Sequence, residues 1–317
     1  MSANDAAAAP RALPLRTLAP AKINLGLFVG PVRPDGKHEL VSVMQPVSLA
    51  DELTLEPLGD GGDGGGGDEV LCPGVSGENL AARAIELFRE ATGWSHGPLR
   101  LSIEKRIPVA AGMGGGSADA GAALRLMRAA SGLGDMDLLL ALAARLGADV
   151  PAQVAPARTL AGGAGELLES LPDPFSPIGV LVLPAAAGLS TADVYAQADR
   201  MHPPRDARYL ADRREELRAA LALGSALPGR VLLANDLQDA CQTLSPEVAP
   251  ALKQAREAGA EHAFLSGSGP TVVGLFARAN GPERARRAAA DLAGRDPAPI
   301  AAETVGAGFA VVRPPGA

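Results

Sequence analysis

The sequence predicts an α+β fold. Strand-like and helix-like segments are mixed along the chain, without the strict βαβ alternation of a doubly wound sheet. Apolar residues make up 47% of the composition, so a sizeable core can be buried, while 38 Gly and 27 Pro break the chain into short elements with tight connections. The 317 residues are enough for two domains of ordinary size or one large one. Aromatic residues are only 3%, so the core has to be Ala, Leu and Val.

Residues 17–29 (TLAPAKINLGLFV) read as a strand interrupted by a short polar step, and 41–57 alternate in places as further strands. The glycine tract 58–68 (LGDGGDGGGGD) is expected to be a mobile hairpin tip. Apolar positions 80, 84, 87 and 88 predict a helix over 78–92, followed by an alternating strand over 98–107 that Pro108 ends. A helix over 118–131 is closed by Gly132. Asp135 or Asp137 caps the next one, and Gly147 stands where a left-handed C-cap is expected. Val150 precedes Pro151, which predicts an extended chain there. The second half reads as strand 178–183, helices 191–201, 208–223 and 247–258, strands 263–266 and 271–276, and helix 281–294.

Several classes of function are disfavoured. Net charge is −7, with acidic and basic residues mixed and no basic stripe for nucleic acid. Cys72 and Cys241 form no CxxC pair and read as reduced fillers, and His38, His96, His202 and His262 lack metal-ligand spacing. No run approaches the roughly 18 apolar residues of a membrane span. Residues 1–16 are Ala/Pro-rich and lack the order of a secretory leader, so they read as a disordered tail on a cytoplasmic protein.

The strongest chemical motif runs from Pro108 to Ala118. Gly112, Gly114, Gly115 and Gly116 occupy four of five positions just before a helix. Glycines let backbone N–H groups approach an anion without a Cβ in the way, and a helix N-terminus favours negative charge. The loop is neither a GxxxxGK[ST] P-loop nor a GxGxxG fingerprint, since Ser117 takes the third glycine position; HRD, DFG and GxSxG are absent. The motif points to the binding of a phosphate group.

Three segments in order resemble the GHMP kinases: Ala19-Pro-Ala-Lys-Ile-Asn-Leu25, the loop from Pro108 to Ala118, and Leu265-Ser-Gly-Ser-Gly-Pro-Thr271. The resemblance covers roughly residues 17–310. It implies a two-domain fold, with an α/β ATP-binding domain of the ribosomal S5 domain 2 type over 17–170 and a second domain of helices on an antiparallel sheet over 171–317. ATP and Mg²⁺ are the implied cofactors. Lys22 and Asp149 match the family's catalytic pair. The ATP contacts would be Pro108, Val109, Ala110, Ala111, Gly112, Met113, Gly114, Gly115, Gly116, Ser117 and Ala118, with Asn79 and Lys105 near the base and Ser117 able to reach Mg²⁺. Arg33-Pro-Asp-Gly-Lys-His38 and Gly147-Ala-Asp-Val-Pro151 are similar to members acting on a cytidyl-linked methylerythritol. For that substrate the candidates are Asn24, Lys37, His38, Thr191, Tyr195, Gly267, Ser268 and Gly269, with Lys37 standing where those members carry Tyr. Another GHMP small-molecule kinase, of homoserine or mevalonate type, and a nucleotide-binding module without catalysis remain open. The resemblance leaves monomer or homodimer undecided and implies neither nucleic-acid nor membrane partners.

Overall fold

The computed structural model describes residues 9–58, 67–203 and 205–316. Two long strands, β1 (Leu15–Val32) and β2 (His38–Pro57), pair antiparallel and form the backbone of the first sheet. β3 (Glu69–Leu71) and α1 (Leu80–Thr92) follow, then β4 (Leu99–Glu104), α2 (Gly115–Ser131), α3 (Met136–Leu146) and the short α4 (Val150–Val154). β5 (Thr159–Gly162) and β6 (Leu167–Ser170) complete a sheet of order β3-β4-β2-β5-β6, with β1 also pairing β2. The second sheet, β10-β7-β9-β8, is antiparallel throughout. Its strands are β7 (Gly179–Leu183), β8 (His262–Leu265), β9 (Val272–Phe276) and β10 (Ile300–Glu303). Around them run α5 (Thr191–Met201), α6 (Ala207–Leu221), α7 (Gln238–Leu244), α8 (Val248–Glu257) and α9 (Gly281–Asp291).

β1 does not alternate buried and exposed; residues 19–30 are buried without a break because both faces are covered. Ala19, Ala21, Ile23 and Leu25 belong to the core shared with α1 and α2, whereas Leu27 and Val29 join the core around β7 and α8. The switch coincides with a register shift between Asn24 and Gly26. A bulge adds one residue, and one residue moves every later side chain to the other face. The polar step expected inside this strand is therefore a pair of irregularities, at Pro20/Lys22 and Asn24/Gly26, that bracket Lys22 and Asn24.

The Ala-rich face of α2 lets neighbouring backbone come close. A Cβ on Gly121 would lie 2.6 Å from the Gln153 carbonyl carbon, so α4 rests against α2 at backbone contact. Arg125, one turn later, donates to the Gln153 and Leu18 carbonyls, tying α2, α4 and β1 together.

The mixed α+β architecture agrees with the sequence reading, and several local expectations need correction. The presumed tail ends sooner: Leu15 and Arg16 are already in β1, and Arg11 donates its N–H to Ala129 O; residues 1–8 lie outside the described residues. Residues 41–57 form one strand, not several. Of the supposed hairpin tip, 59–66 lie outside the described residues; the strands on either side, β2 and β3, both pair with β4. Gly147 is fully extended (φ 164°, ψ 163°), not left-handed, although its N–H still caps Ala143 O. Val150 is helical despite preceding proline. Pro151 lies in the first turn of α4, where a missing N–H costs nothing and the bias against helix is overridden. α4, α7, β5, β6 and β10 carried too few periodic residues to be seen in sequence.

Candidate active site

The glycine loop leaves β4 after Glu104 and enters α2 at Gly115. Ala110, Gly112 and Gly114 all have positive φ, and Gly114 (φ 72°) is the N-cap of α2 with no side chain capping the helix. The first N–H groups of α2 thus lack a side-chain acceptor, an arrangement suited to an anion. Two packing constraints explain the glycines. A Cβ on Gly112 would lie 2.8 Å from Gly269 N, because this loop and the Ser266–Gly269 loop meet backbone on backbone. A Cβ on Gly114 would lie 3.3 Å from both Cγ and Cε of Lys22, whose stem runs along the loop. Ser266 Oγ donates to Gly112 O at 3.2 Å, and Lys22 N–H donates to Met113 O at 3.0 Å, pinning the loop from both sides.

Lys22 is 6% exposed, yet its ammonium emerges at the loop's inner rim. Nζ donates to Asn24 Oδ1 at 2.9 Å and stands 3.3 Å from Asp149 Oδ2. Asp149 occupies the N-cap position of α4 but makes no capping hydrogen bond. Its carboxylate turns to Lys22 instead, so the helix-cap role open to such a residue is unused. The pair comes from distant parts of the chain and faces a cleft of about 960 Å³.

The glycine loop lines that cleft from Ala110 to Ser117, except Met113, whose side chain is buried beneath. All the substrate candidates line it except Gly269, whose Cα faces Leu265 and Cys241. The rings of His38 and Tyr195 lie 5.1 Å apart at 33°. His38 Nδ1 is 3.0 Å from Gly30 O and Nε2 is 3.3 Å from Asp199 Oδ2. Burial, and then the Asp149 charge, push the Tyr195 phenol well above its ordinary value. Thr191 and Ser268 hydroxyls meet at 2.9 Å, joining α5 to the Ser266–Gly269 loop. Lys37 is exposed on the turn before β2.

Pro108, Val109, Ala118, Asn79 and Lys105 do not line the cleft. Asn79 caps α1, its Oδ1 accepting from Ala81 N at 2.9 Å. Lys105 is clamped between Asp51 (2.5 Å) and Asp119 (2.8 Å) just behind Gly115. Asp51 is fully buried and also accepts the N–H groups of Arg106 and Ile107. Burial pushes the Asp119 carboxyl up to about 7, against the pull of Lys105 and with a further push from Asp51. This trio, two buried carboxylates about a half-buried lysine, shapes the loop's base, and sequence reasoning missed the carboxylates. The place of Asp119, two residues after Ser117, was the available clue. Ser42 and Asp199 were missed too, since a lone polar residue in a strand or helix carries no periodic mark.

A glycine loop opening a helix, a lysine–carboxylate pair at its rim and a second antiparallel sheet define a small-molecule kinase. The chain belongs to the GHMP kinase family: residues 79–156 match the GHMP kinases N terminal domain and 209–294 the GHMP kinases C terminal domain. Among its relatives, the 4-diphosphocytidyl-2-C-methyl-D-erythritol kinases of Kineococcus radiotolerans and Thermobifida fusca are 42% and 41% identical to it. Each alignment covers 90% of this chain, and 87% and 92% of the respective relative. A crystal structure of 4-(cytidine 5'-diphospho)-2C-methyl-D-erythritol kinase matches with a TM-score of 0.72 at 36% identity, over 92% of this chain and 99% of the other. Homoserine kinase from Cytophaga hutchinsonii shares the fold, with a TM-score of 0.68 at 18% identity over 99% of both chains.

Proposed function

We propose that this chain transfers the γ-phosphoryl group of ATP to the 2-hydroxyl of 4-diphosphocytidyl-2-C-methyl-D-erythritol, in non-mevalonate isoprenoid precursor synthesis in the cytoplasm. The observation that carries the chemistry is Lys22 Nζ at 3.3 Å from Asp149, beside the glycine loop. The choice of acceptor rests on the relatives' activity and on the paired His38 and Tyr195 rings, a surface suited to a flat base.

In this reading the N–H groups between Gly112 and Ala118 cradle the triphosphate and aim the γ-phosphorus into the cleft. Asp149 orients the acceptor hydroxyl and takes its proton as the oxygen–phosphorus bond forms. The bond from the γ-phosphorus to the bridging oxygen breaks, and ADP leaves. Phosphoryl transfer asks the protein mainly for positioning and for charge neutralisation. Lys22 supplies the second, pairing with Asp149 and facing the oxygens where charge develops. Lys37, in place of an aromatic residue, offers its charge to the substrate's diphosphate.

Ser117, half-buried in the first turn of α2, fits as a ligand of Mg²⁺. Among the described residues no group of three His, Cys, Asp or Glu could hold a metal alone. The ion would therefore sit on nucleotide oxygens, Ser117 Oγ and water, which is how Mg²⁺ is commonly bound. When bound it neutralises β- and γ-phosphate charge. The same reading divides the protein near residue 170, between the two sheets, and treats it as a monomer or homodimer free in solution.

An ADP-release assay with three candidate alcohols tests the proposal. Turnover is expected with the cytidyl substrate and not with homoserine or mevalonate. Turnover with either of those reassigns the acceptor. ATP binding without turnover on any of the three makes the chain a nucleotide-binding module.

A further inference from the structure

Lys22 is held in place by more than Asp149. Its ammonium has three hydrogens and no lone pair. One goes to Asn24 Oδ1 at 2.9 Å and one faces Asp149 Oδ2 at 3.3 Å, which leaves the third for the cleft. That geometry requires the Asn24 amide to show its oxygen, not its nitrogen, to Lys22. Asn24 is 3% exposed, so water does not decide the matter.

Ser42 decides it. The Ser42 hydroxyl is fully buried on β2, where Ser42 pairs with Leu27 and Asn24 pairs with Met44 two residues on. It donates to Gly26 O at 2.7 Å and accepts from Asn24 Nδ2 at 2.7 Å. A carbonyl can only accept, so the hydroxyl proton is committed to Gly26 and the oxygen must receive. Only the amide's NH₂ can give to it. The Asn24 oxygen is then turned to Lys22. The bulge at Asn24/Gly26 places the Gly26 carbonyl where Ser42 can reach it. The chain of direction runs from Gly26 to Ser42, Asn24 and Lys22.

We infer that Ser42 is a positioning residue for phosphoryl transfer, acting through the Asn24 amide to fix the Lys22 ammonium. The inference rests on the reading of Lys22 as the group that neutralises phosphoryl charge. Without the hydroxyl, the amide can turn and present NH₂ to Lys22. Two donors then face each other, and the ammonium moves off its line to Asp149.

The test compares Ser42→Ala, Ser42→Cys and Ser42→Thr in steady-state turnover, normalised to folded protein. The alanine variant is expected to lose about tenfold in kcat, the size of a lost hydrogen bond to a charged group, with KM for ATP within about twofold. The threonine variant, which keeps the hydroxyl, is expected to recover most of the loss. Should the alanine variant fail to fold, the near-isosteric cysteine variant carries the comparison, because a thiol is poor on both sides of the relay. A double-mutant cycle with Asn24→Ala adds a readout that simple destabilisation would not produce: if Ser42 acts through Asn24, the double variant is no slower than Asn24→Ala alone. Parental kcat in the alanine and cysteine variants, no recovery with threonine, or additive losses in the cycle each overturn the inference. Lys22→Met separates this failure from a deeper one. If it is inactive while Ser42→Ala is normal, only the Ser42 role falls; if it turns over normally, the reading of Lys22 falls as well.

Discussion

Replacing Gly114 with alanine probes two functions of one residue. Its φ of 72° is left-handed, a conformation that costs an alanine about 1–2 kcal/mol. The new Cβ would lie 3.3 Å from Cγ and Cε of Lys22, close enough that the lysine stem has to give by a few tenths of an ångström. Lys22, on β1, is buried with its stem against the loop, so the shift reaches Nζ and its contacts with Asn24 and Asp149. The expected results are an unfolding midpoint lower by a few degrees, at about 2–4 °C per kcal/mol for a domain of 150–250 residues, and a kcat lower by about a hundredfold, as misplaced reacting groups produce. Gly116→Ala is the contrast. Gly116 has no positive φ, and its nearest neighbour would be Leu80 Cδ1 at 3.9 Å, so alanine there disturbs neither fold nor lysine. Its Cβ would instead meet the bound phosphates, and the expected change is a higher KM for ATP with a stable fold. Differential scanning fluorimetry and the ADP-release assay read both. If Gly114→Ala matches the parent in midpoint and in kcat, Lys22 is not braced by the loop and the reasoning fails.

Asp149→Asn is expected to lower kcat by about two orders of magnitude or more while ATP still binds and the midpoint hardly moves, since the carboxylate caps no helix; calorimetric titration with ATP and turnover together check this, and near-normal turnover removes Asp149 from the chemistry. Asp119→Asn should reveal a linkage to pH. The folded carboxyl is raised to about 7 from 3.8, so the folded state holds an extra proton between those values; the contribution is complete below about pH 4 and is lost as pH rises through about 7. The midpoint of Asp119→Asn relative to the parent should therefore improve from pH 5 to about 7 and level off above that, and a constant difference over this range refutes it. Arg158→Met strands Gln45 Oε1 and the carbonyls of Ser225 and Ala226, all bonded to a fully buried guanidinium; a loss of about 3 kcal/mol or more in chemical denaturation is expected, and under 1 kcal/mol contradicts it.

What the sequence revealed tracked what was local. Helix α5 was read at its observed bounds, Thr191–Met201, because Ser190 supplies its cap and the apolar spacing is regular. The glycine loop was legible because four glycines before an Ala-rich helix have few other uses. β5 and β6 were invisible because four-residue strands hold too few alternations. The path of α4 was misread because the rule about residues preceding proline is a bias that the first turn of a helix escapes. At the site, resemblance named Lys22 and Asp149, and their encounter depends on tertiary contacts from α2 to α4 that no window of sequence contains. Lys105 shows the reverse case. Its position was noticed, but its buried partners Asp51 and Asp119 give it a clamping role beneath the loop.

The contact between Gly112 and the Ser266–Gly269 loop has a consequence for inheritance and for engineering. Two bare stretches of main chain, one from each half of the protein, serve as each other's mould. Neither can gain a side chain unless the other retreats, so the halves must change together. A hybrid joining the first half of this chain to the second half of a relative would succeed or fail at this seam, whatever the quality of its cleft.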